Sequence, residues 1–304
     1  TVIKIKNLLV KRILDHLSTM AEKDEKKYRE FWNQFGRILK EGYTDYPNLE
    51  KIVSLFRFNS SKTENADALV SLDDYINRMR PAQENIYYIS ATSREAADRN
   101  PHLEIYMQKG IEVLYSFDPI DEFVLSGVAQ YKEKKLLSAD QADLESLNKI
   151  EPEKQDGQSD RTESEKDAPD SLELGKLCTR LKNILGTQVE EVRISQRLTE
   201  SPAVLVTAEG GISAQMSRIM QVVNKDAPPS KKIMEINGKH PLIRNMLKTF
   251  QRNPKDPYLE KTTDILFQVL MLQDGFLLDP HKMVDQVQSL LSDASNWYLK
   301  ETTI

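Results

Sequence analysis

Apolar residues recur along this chain at helical spacing in some stretches, at strand spacing in others, and over one stretch not at all. Ile3, Leu8, Leu9, Ile13, Leu14 and Leu17 form a broad stripe at the three- and four-residue spacing of a helix. Tyr28, Phe31, Trp32, Phe35, Ile38 and Leu39 predict a second helix, with Gly42 as its stop signal. Leu49, Ile52, Val53 and Phe56 predict a short third. Ser71-Leu72-Asp73-Asp74 reads as an N-cap with an acid at the third helical position, continued by Tyr75, Ile76 and Met79. Ile86–Ile89 is an apolar run rich in strand formers. A helical stretch follows, stopped by Gly110, and Ile111–Leu114 predicts another strand. A helix opens at Asp118-Pro119, with proline in the first turn. Helix, strand, helix, strand, helix predicts a small α/β layer with parallel strands.

The stretch 151–170 has no Ile, Leu, Val, Met or aromatic residue, and carries eight acids against three bases. Such a segment cannot offset its ordering entropy by burial, so it predicts a solvated, flexible acidic linker between residues 1–150 and 171–304. Beyond it, Leu174, Leu177, Leu181, Ile184 and Leu185 predict a helix ended by Gly186. Val192–Ile194, Ala203–Val206 and Ile233–Ile236 predict three strands. Two long helices are expected at the end. One carries Ile265, Leu266, Val269, Leu270 and Leu272, and the other opens at Asp279-Pro280 and carries Met283, Val284, Val287, Leu290 and Leu291. The short connection Asp274–Asp279 predicts an antiparallel hairpin. The fold class is thus a mixture of α+β and α/β: a helical segment with a small α/β layer, then an α+β part with a small sheet and a C-terminal helical hairpin.

Composition narrows the function classes. With 304 residues, two domains are the natural expectation. Charged residues make up 29%, and the 42 basic against 47 acidic residues leave a net charge of −5. No basic patch marks a nucleic-acid partner. The short runs Lys134-Lys135 and Lys231-Lys232 read as ordinary helical or loop positions. One cysteine, Cys178, excludes a disulfide within the chain and a CxxC metal site, which fits a reducing, cytoplasmic location. No apolar run approaches membrane-spanning length. The chain opens in a helical pattern without Met and reads as a piece of a longer one.

Candidate chemistry is sparse. There is no GxGxxG and no GxxxxGK[ST] motif, and Glu209-Gly210-Gly211 reads as a turn. His16, His102, His240 and His281 form no metal-ligand pair. Asp73-Asp74 and Asp121-Glu122 suit helix first turns better than acid–base work. Asn59-Ser60-Ser61 matches a glycosylation sequon, read as incidental. Cys178, among leucines and without a local His, reads as a buried inert thiol. Two apolar features carry more. Ile212, Met216, Ile219, Met220 and Val223 share one helical face, either docked on its own sheet or offered to partners, for which Met is well suited. The terminal helical pair cannot enclose its own apolar faces. It docks on its domain or on a second copy, where four helices would make a bundle.

Several ordered motifs resemble one family. Lys26–Trp32 with Phe35-Gly36, Leu55–Lys62, Ser71–Tyr75, Ile86–Ile89, Pro101–Glu104, Gly110–Leu114 and Asp118–Glu122 are similar to stretches of the ninety-kilodalton heat-shock chaperones. So are Arg197–Ala203 and Lys232–Asn237. The similarity covers nearly the whole chain except the linker, and looks most like the bacterial type. The resemblance implies the C-terminal portion of that family's middle domain over residues 1–150 and its C-terminal dimerisation domain over 171–304. It implies a stress chaperone that folds proteins with ATP and magnesium, whose catalytic groups lie upstream of this chain. No cofactor, metal or catalytic residue is expected here. Clients are expected to contact Glu122, Phe123 and Ser126 together with Ile212, Met216, Ile219 and Met220. Phe123 and Ser126 depart from the Trp and Asn common in the bacterial pattern. A homodimer is expected through Ile265, Leu266, Val269, Leu270, Val284, Val287 and Leu291. Partners implied are non-native client proteins and a seventy-kilodalton chaperone system, with no nucleic acid and no membrane. Two rival readings come from other classes: a structural adaptor for a folded partner, and an enzyme whose site is built from scattered residues.

Overall fold

A computed structural model describes residues 2–65, 68–141, 144–151, 170–207, 211–223, 232–276 and 279–302. The expected linker lies, over residues 152–169, outside the described residues. The chain divides into two compact units, Thr1–Lys154 and Gln155–Ile304. Both mix helices with a small sheet, in agreement with the expected fold class.

The first unit opens with α1 (Val2–Lys23) and α2 (Glu25–Glu41), followed by α3 (Leu49–Ser54). Asp24 caps α2 by accepting from Lys27 N at 3.1 Å. Strand β1 (Asn59–Ser60) and α4 (Leu72–Asn77) come next. The capping box at α4 is as expected: Ser71 Oγ accepts from Asp74 N at 3.0 Å, and Asp74 Oδ2 accepts from Ser71 N at 2.9 Å. Then follow β2 (Asn85–Ser90), α5 (Arg94–Asp98), α6 (Glu104–Gln108), β3 (Leu114–Ser116), α7 (Pro119–Val128), β4 (Gln130–Tyr131), β5 (Lys134–Ser138) and α8 (Leu144–Asn148).

The sheet runs β1-β3-β2-β5-β4. Its centre is parallel, with Tyr88 opposite Leu114 on one side and Ile86 opposite Leu136 on the other. Strand β2 is buried on both faces, as a central parallel strand must be. Ile86 and Tyr88 join a core with Trp32, Phe56, Leu72 and Val124, while Tyr87 and Ile89 join one with Leu103, Tyr106 and Tyr115. This two-residue alternation gives helices on both sides of the sheet.

Two expectations shift. The second strand begins at Leu114 rather than Ile111, because Ile111 and Val113 are buried from a loop and not from a ladder. Lys134-Lys135 sits on β5, paired with Tyr131 and Gln130, and not in a helix or loop. Lys232, of the other basic run, likewise lies on a strand. Asn59 of the sequon is 8% exposed within β1, so its side chain offers no acceptor surface.

A buried ion pair joins α2 to α7. Lys40 Nζ meets Asp121 Oδ1 at 2.5 Å, with the two side chains 11% and 4% exposed. The ammonium lies 5.4 Å from the Trp32 ring centre and 5.3 Å from that of Phe58. Ser116 Oγ donates to the other carboxylate oxygen at 3.2 Å.

The second unit contains α9 (Ser171–Leu185), β6 (Glu191–Ile194), β7 (Ala203–Thr207), α10 (Ala214–Val223), β8 (Lys232–Ile236), α11 (Pro241–Arg252), α12 (Pro257–Gln273) and α13 (Pro280–Thr302). The sheet order is β6-β8-β7, with β6 parallel and β7 antiparallel to the central strand. Met234, Ile236 and Leu205 pack with Leu177, Leu181, Met246, Leu266 and Leu270. The opposite sheet face holds Val204, Val206 and Ile233. There too, Glu235 is fully buried. It accepts from Arg193 Nη2 at 2.7 Å, Arg197 Nε at 3.0 Å and Ser195 Oγ at 3.0 Å. A buried carboxylate needs such partners. Helix α11 was not expected, although His240-Pro241 caps it and Ile243, Met246 and Leu247 bury one face.

Candidate protein-binding interface

Helix α7 is set by Asp118, whose carboxylate accepts from Ile120 N at 3.1 Å, with Pro119 in the first turn. Its next residues part ways. Asp121 turns inward to Lys40. Glu122 is 1% exposed, and its carboxylate accepts from Ser90 Oγ at 3.0 Å and from Tyr88 Oη at 3.4 Å. Burial, and then the negative charge of Glu122, raise the Tyr88 hydroxyl well above its ordinary pKa. Phe123 is 42% exposed and Ser126 is exposed three residues on. The expected set therefore divides: Phe123 and Ser126 face outward, whereas two hydroxyls on β2 draw Glu122 in and deny it any surface.

Helix α10 has the opposite character from a core helix. The one buried side chain in it is Ser217. Ser213, four residues earlier, is also buried. Ile212, Met220, Val222 and Val223 are exposed, the last two at 81% and 82%, while Met216 and Ile219 are half-buried. The small hydroxyls face in and the apolar side chains face out.

The α12–α13 hairpin also separates two kinds of surface. Leu266 and Leu270 belong to the core of their own unit, and Ile265 is 8% exposed. Three residues expected at a subunit interface are thus already occupied within the chain, because α12 lies against β7 and α9. Val269 is half-buried. On α13, Val284 and Leu291 are 53% and 64% exposed and Val287 is half-buried. Trp297, Tyr298 and Leu299 are exposed as well. The sequence reading missed these three, of which Tyr298 continues the seven-residue pattern of Val284, Val287, Leu291 and Ala294. The side of α13 that meets α12 is polar. Lys261 Nζ donates to Ser289 Oγ at 2.8 Å and pairs with Asp293 at 2.5 Å, and Asp264 pairs with Lys282 at 3.2 Å. These contacts make the hairpin antiparallel, as expected.

Little else offers chemistry. Among the described residues, no group of three or more His, Cys, Asp or Glu gathers in a way that could hold a metal. Among the same residues, no helix is long and apolar enough to cross a membrane. Burial pushes the Cys178 thiol up to about 11, so it is protonated at neutral pH.

A family model described as "Hsp90 protein" matches residues 1–303. A protein named "Chaperone protein HtpG" from Oleidesulfovibrio alaskensis is 42% identical over 97% of this chain and 46% of its own length. Proteins of the same name from Nitratidesulfovibrio vulgaris and Geobacter metallireducens are each 40% identical, over 97% and 95% of this chain. The chain spans about half the length of these curated relatives, 46% of the first two and 43% of the third.

Proposed function

This chain belongs to the Hsp90 protein family, and from that premise we propose that it is the client-binding and subunit-pairing portion of a molecular chaperone. The observation that carries the reading is α10. A helix whose buried side is serine and whose exposed side is Ile, Met and Val does not serve a core. Apolar surface left in water at this density suits transient contact with non-native chains, and Met adapts to varied partners. Met216, Ile219, Met220 and Ile212 form this surface, with Phe123 and Ser126 supplying a second, smaller patch on the first unit.

The hairpin supports the second half of the proposal. Its polar seam is satisfied within the chain, and the stripe Val284, Val287 and Leu291 lies on another side of α13, where Val284 and Leu291 are exposed and offered to a second copy. Two such hairpins would complete a four-helix bundle. In this reading ATP and magnesium are handled in the part of the relatives' length that this chain does not span, and the whole protein works in the cytoplasm with a seventy-kilodalton chaperone system. That the relatives are named as chaperones supports the reading.

The test pairs two measurements on the full chain. Met216→Asp together with Met220→Asp is expected to leave the circular dichroism spectrum unchanged and to weaken binding of a permanently unfolded protein. Loss of the fold would instead make α10 a core element and end the proposal. Sedimentation at micromolar concentration is expected to show a dimer, and a monomer would remove the pairing half.

A further inference from the structure

The turn that ends α12, Asp274–Phe276, is gripped from two sides, and one grip comes from α10. Gly275 N donates to Leu272 O at 2.9 Å and Phe276 N to Met271 O at 2.7 Å, with Gly275 at φ +77°. This is a Schellman ending, and glycine takes its left-handed position at low cost. From the sheet, Lys232 Nζ pairs with Asp274 Oδ2 at 3.1 Å, both side chains buried, and lies 5.6 Å from the centre of the Phe276 ring. From α10, Arg218 lays its guanidinium on the glycine. A Cβ placed on Gly275 would come within 2.5 Å of Arg218 Cζ and 2.6 Å of Nη1. Arg218 Nη1 also donates to Gln215 Oε1 at 3.1 Å, which holds the planar group in place from one turn back.

We propose that Arg218 is a positioning residue: through Gly275 it ties α10 to the α12–α13 turn, so that the apolar face of α10 and the pairing face of α13 respond to each other. The coupling rests on the reading of those faces given above. The physical need for a tether is plain. α10 is ten residues long and buries one serine, so burial contributes little to holding it in place. The Schellman bonds fix the turn's backbone at Gly275 and Phe276, and Lys232 of β8 pairs with Asp274 beside them. α10 held against this turn and α10 released from it are two states, and a ligand on either face that favours one state favours it for the other face in equal measure.

Hydrogen exchange on the full chain tests the tether without any client. Arg218→Ala is expected to speed exchange of the α10 amides by about tenfold while α9 and β8 keep their protection. Gly275→Ala is expected to do the same, because its methyl displaces the guanidinium. The two changes together are expected to add little beyond Gly275→Ala, since both break one contact. Arg218→Lys is not expected to restore protection, because an ammonium cannot lie flat over the glycine. Unchanged α10 exchange in Arg218→Ala, or full additivity of the pair, overturns the tether. Sedimentation with reduced, carboxymethylated lactalbumin as an unfolded probe tests the coupling. The probe is expected to shift the wild-type dimer dissociation constant by about fivefold, a typical allosteric coupling, and to leave that of Arg218→Ala unmoved. A wild type that binds the probe with no such shift overturns the coupling. A wild type that binds no probe, with the exchange result intact, overturns the client reading and the coupling while the tether stands.

Discussion

Helices α9 and α10 both have an apolar stripe at helical spacing, and they end in opposite places. Leu174, Leu177, Leu181 and Leu185 of α9 are all 4% exposed or less. The stripe of α10 is only partly covered, with Met216 and Ile219 half-buried and Ile212, Met220 and Val223 exposed, and Ser217 takes the inner position. Periodicity therefore tells that a helix is two-faced, and leaves open which face goes in. What separates the two helices is the kind of residue that shares the helix with the stripe. Opposite its leucines α9 carries Lys176, Thr179 and Arg180, all in contact with water to some degree. Beside its apolar stripe α10 has Ser217, with Ser213 just before its first turn, both small enough to sit against the fold. A small-residue spine beside an apolar stripe marks a helix that docks on its polar side.

The contrast can be broken most sharply at Leu177, which is 0% exposed. Leu177→Ala should cost about 3 kcal/mol of unfolding free energy, read by urea denaturation. A cost below about 1 kcal/mol would put α9 in the same class as α10. On α13, Leu291→Asp places a charge on the exposed stripe. It should raise the dimer dissociation constant about 100-fold, or about 2.7 kcal/mol, by sedimentation equilibrium, with the monomer fold intact. On α10, Val222→Asp with Val223→Asp should change unfolding free energy by less than about 0.5 kcal/mol. The same pair should weaken binding of an unfolded protein by about tenfold, 1.4 kcal/mol, in fluorescence anisotropy.

The smallest effect concerns Cys178, on the buried side of α9. Burial raises its thiol from an ordinary 9.0 to about 11 in the folded chain. The unfolded thiol ionises first, so the stability this group contributes is complete below pH 9 and is lost as pH rises toward 11. At pH 8 a thiol reagent should label the native chain far more slowly than the urea-unfolded chain. Equal rates would mean that the inner face of α9 opens readily.

Much of the fold could be read from local chemistry. Ser71 with Asp74, Asp118 with Pro119, and Gly186 sit where their capping roles place them. The strands at 86–89 and 233–236 announced themselves by apolar runs. Where reading failed, long-range packing had overruled the local pattern. Ile111 and Val113 look like a strand and are buried from a loop. The β4–β5 hairpin turns through Lys132 and Glu133, which take φ of +45° and +65° with no glycine to signal it. At the candidate interfaces, Leu266 and Leu270 have the spacing of a pairing helix but belong to their own core. Glu122 lies in a family motif, yet hydroxyls from a distant strand turn it inward. No spacing rule contains that information, since it depends on which element lies alongside.

The Lys40–Asp121 pair between α2 and α7 has a thermal consequence. Near 25 °C, removing two charges from water costs about what their attraction returns, so such a pair adds little net stability there. Hydration of ions carries a negative entropy and grows less favourable with heat, so the desolvation cost falls as temperature climbs. Hydrophobic stabilisation levels off over the same range. The lysine in its cradle of Trp32 and Phe58 thus gains relative weight as the surroundings warm. The join between these two helices therefore weakens less on warming than its apolar contacts alone would.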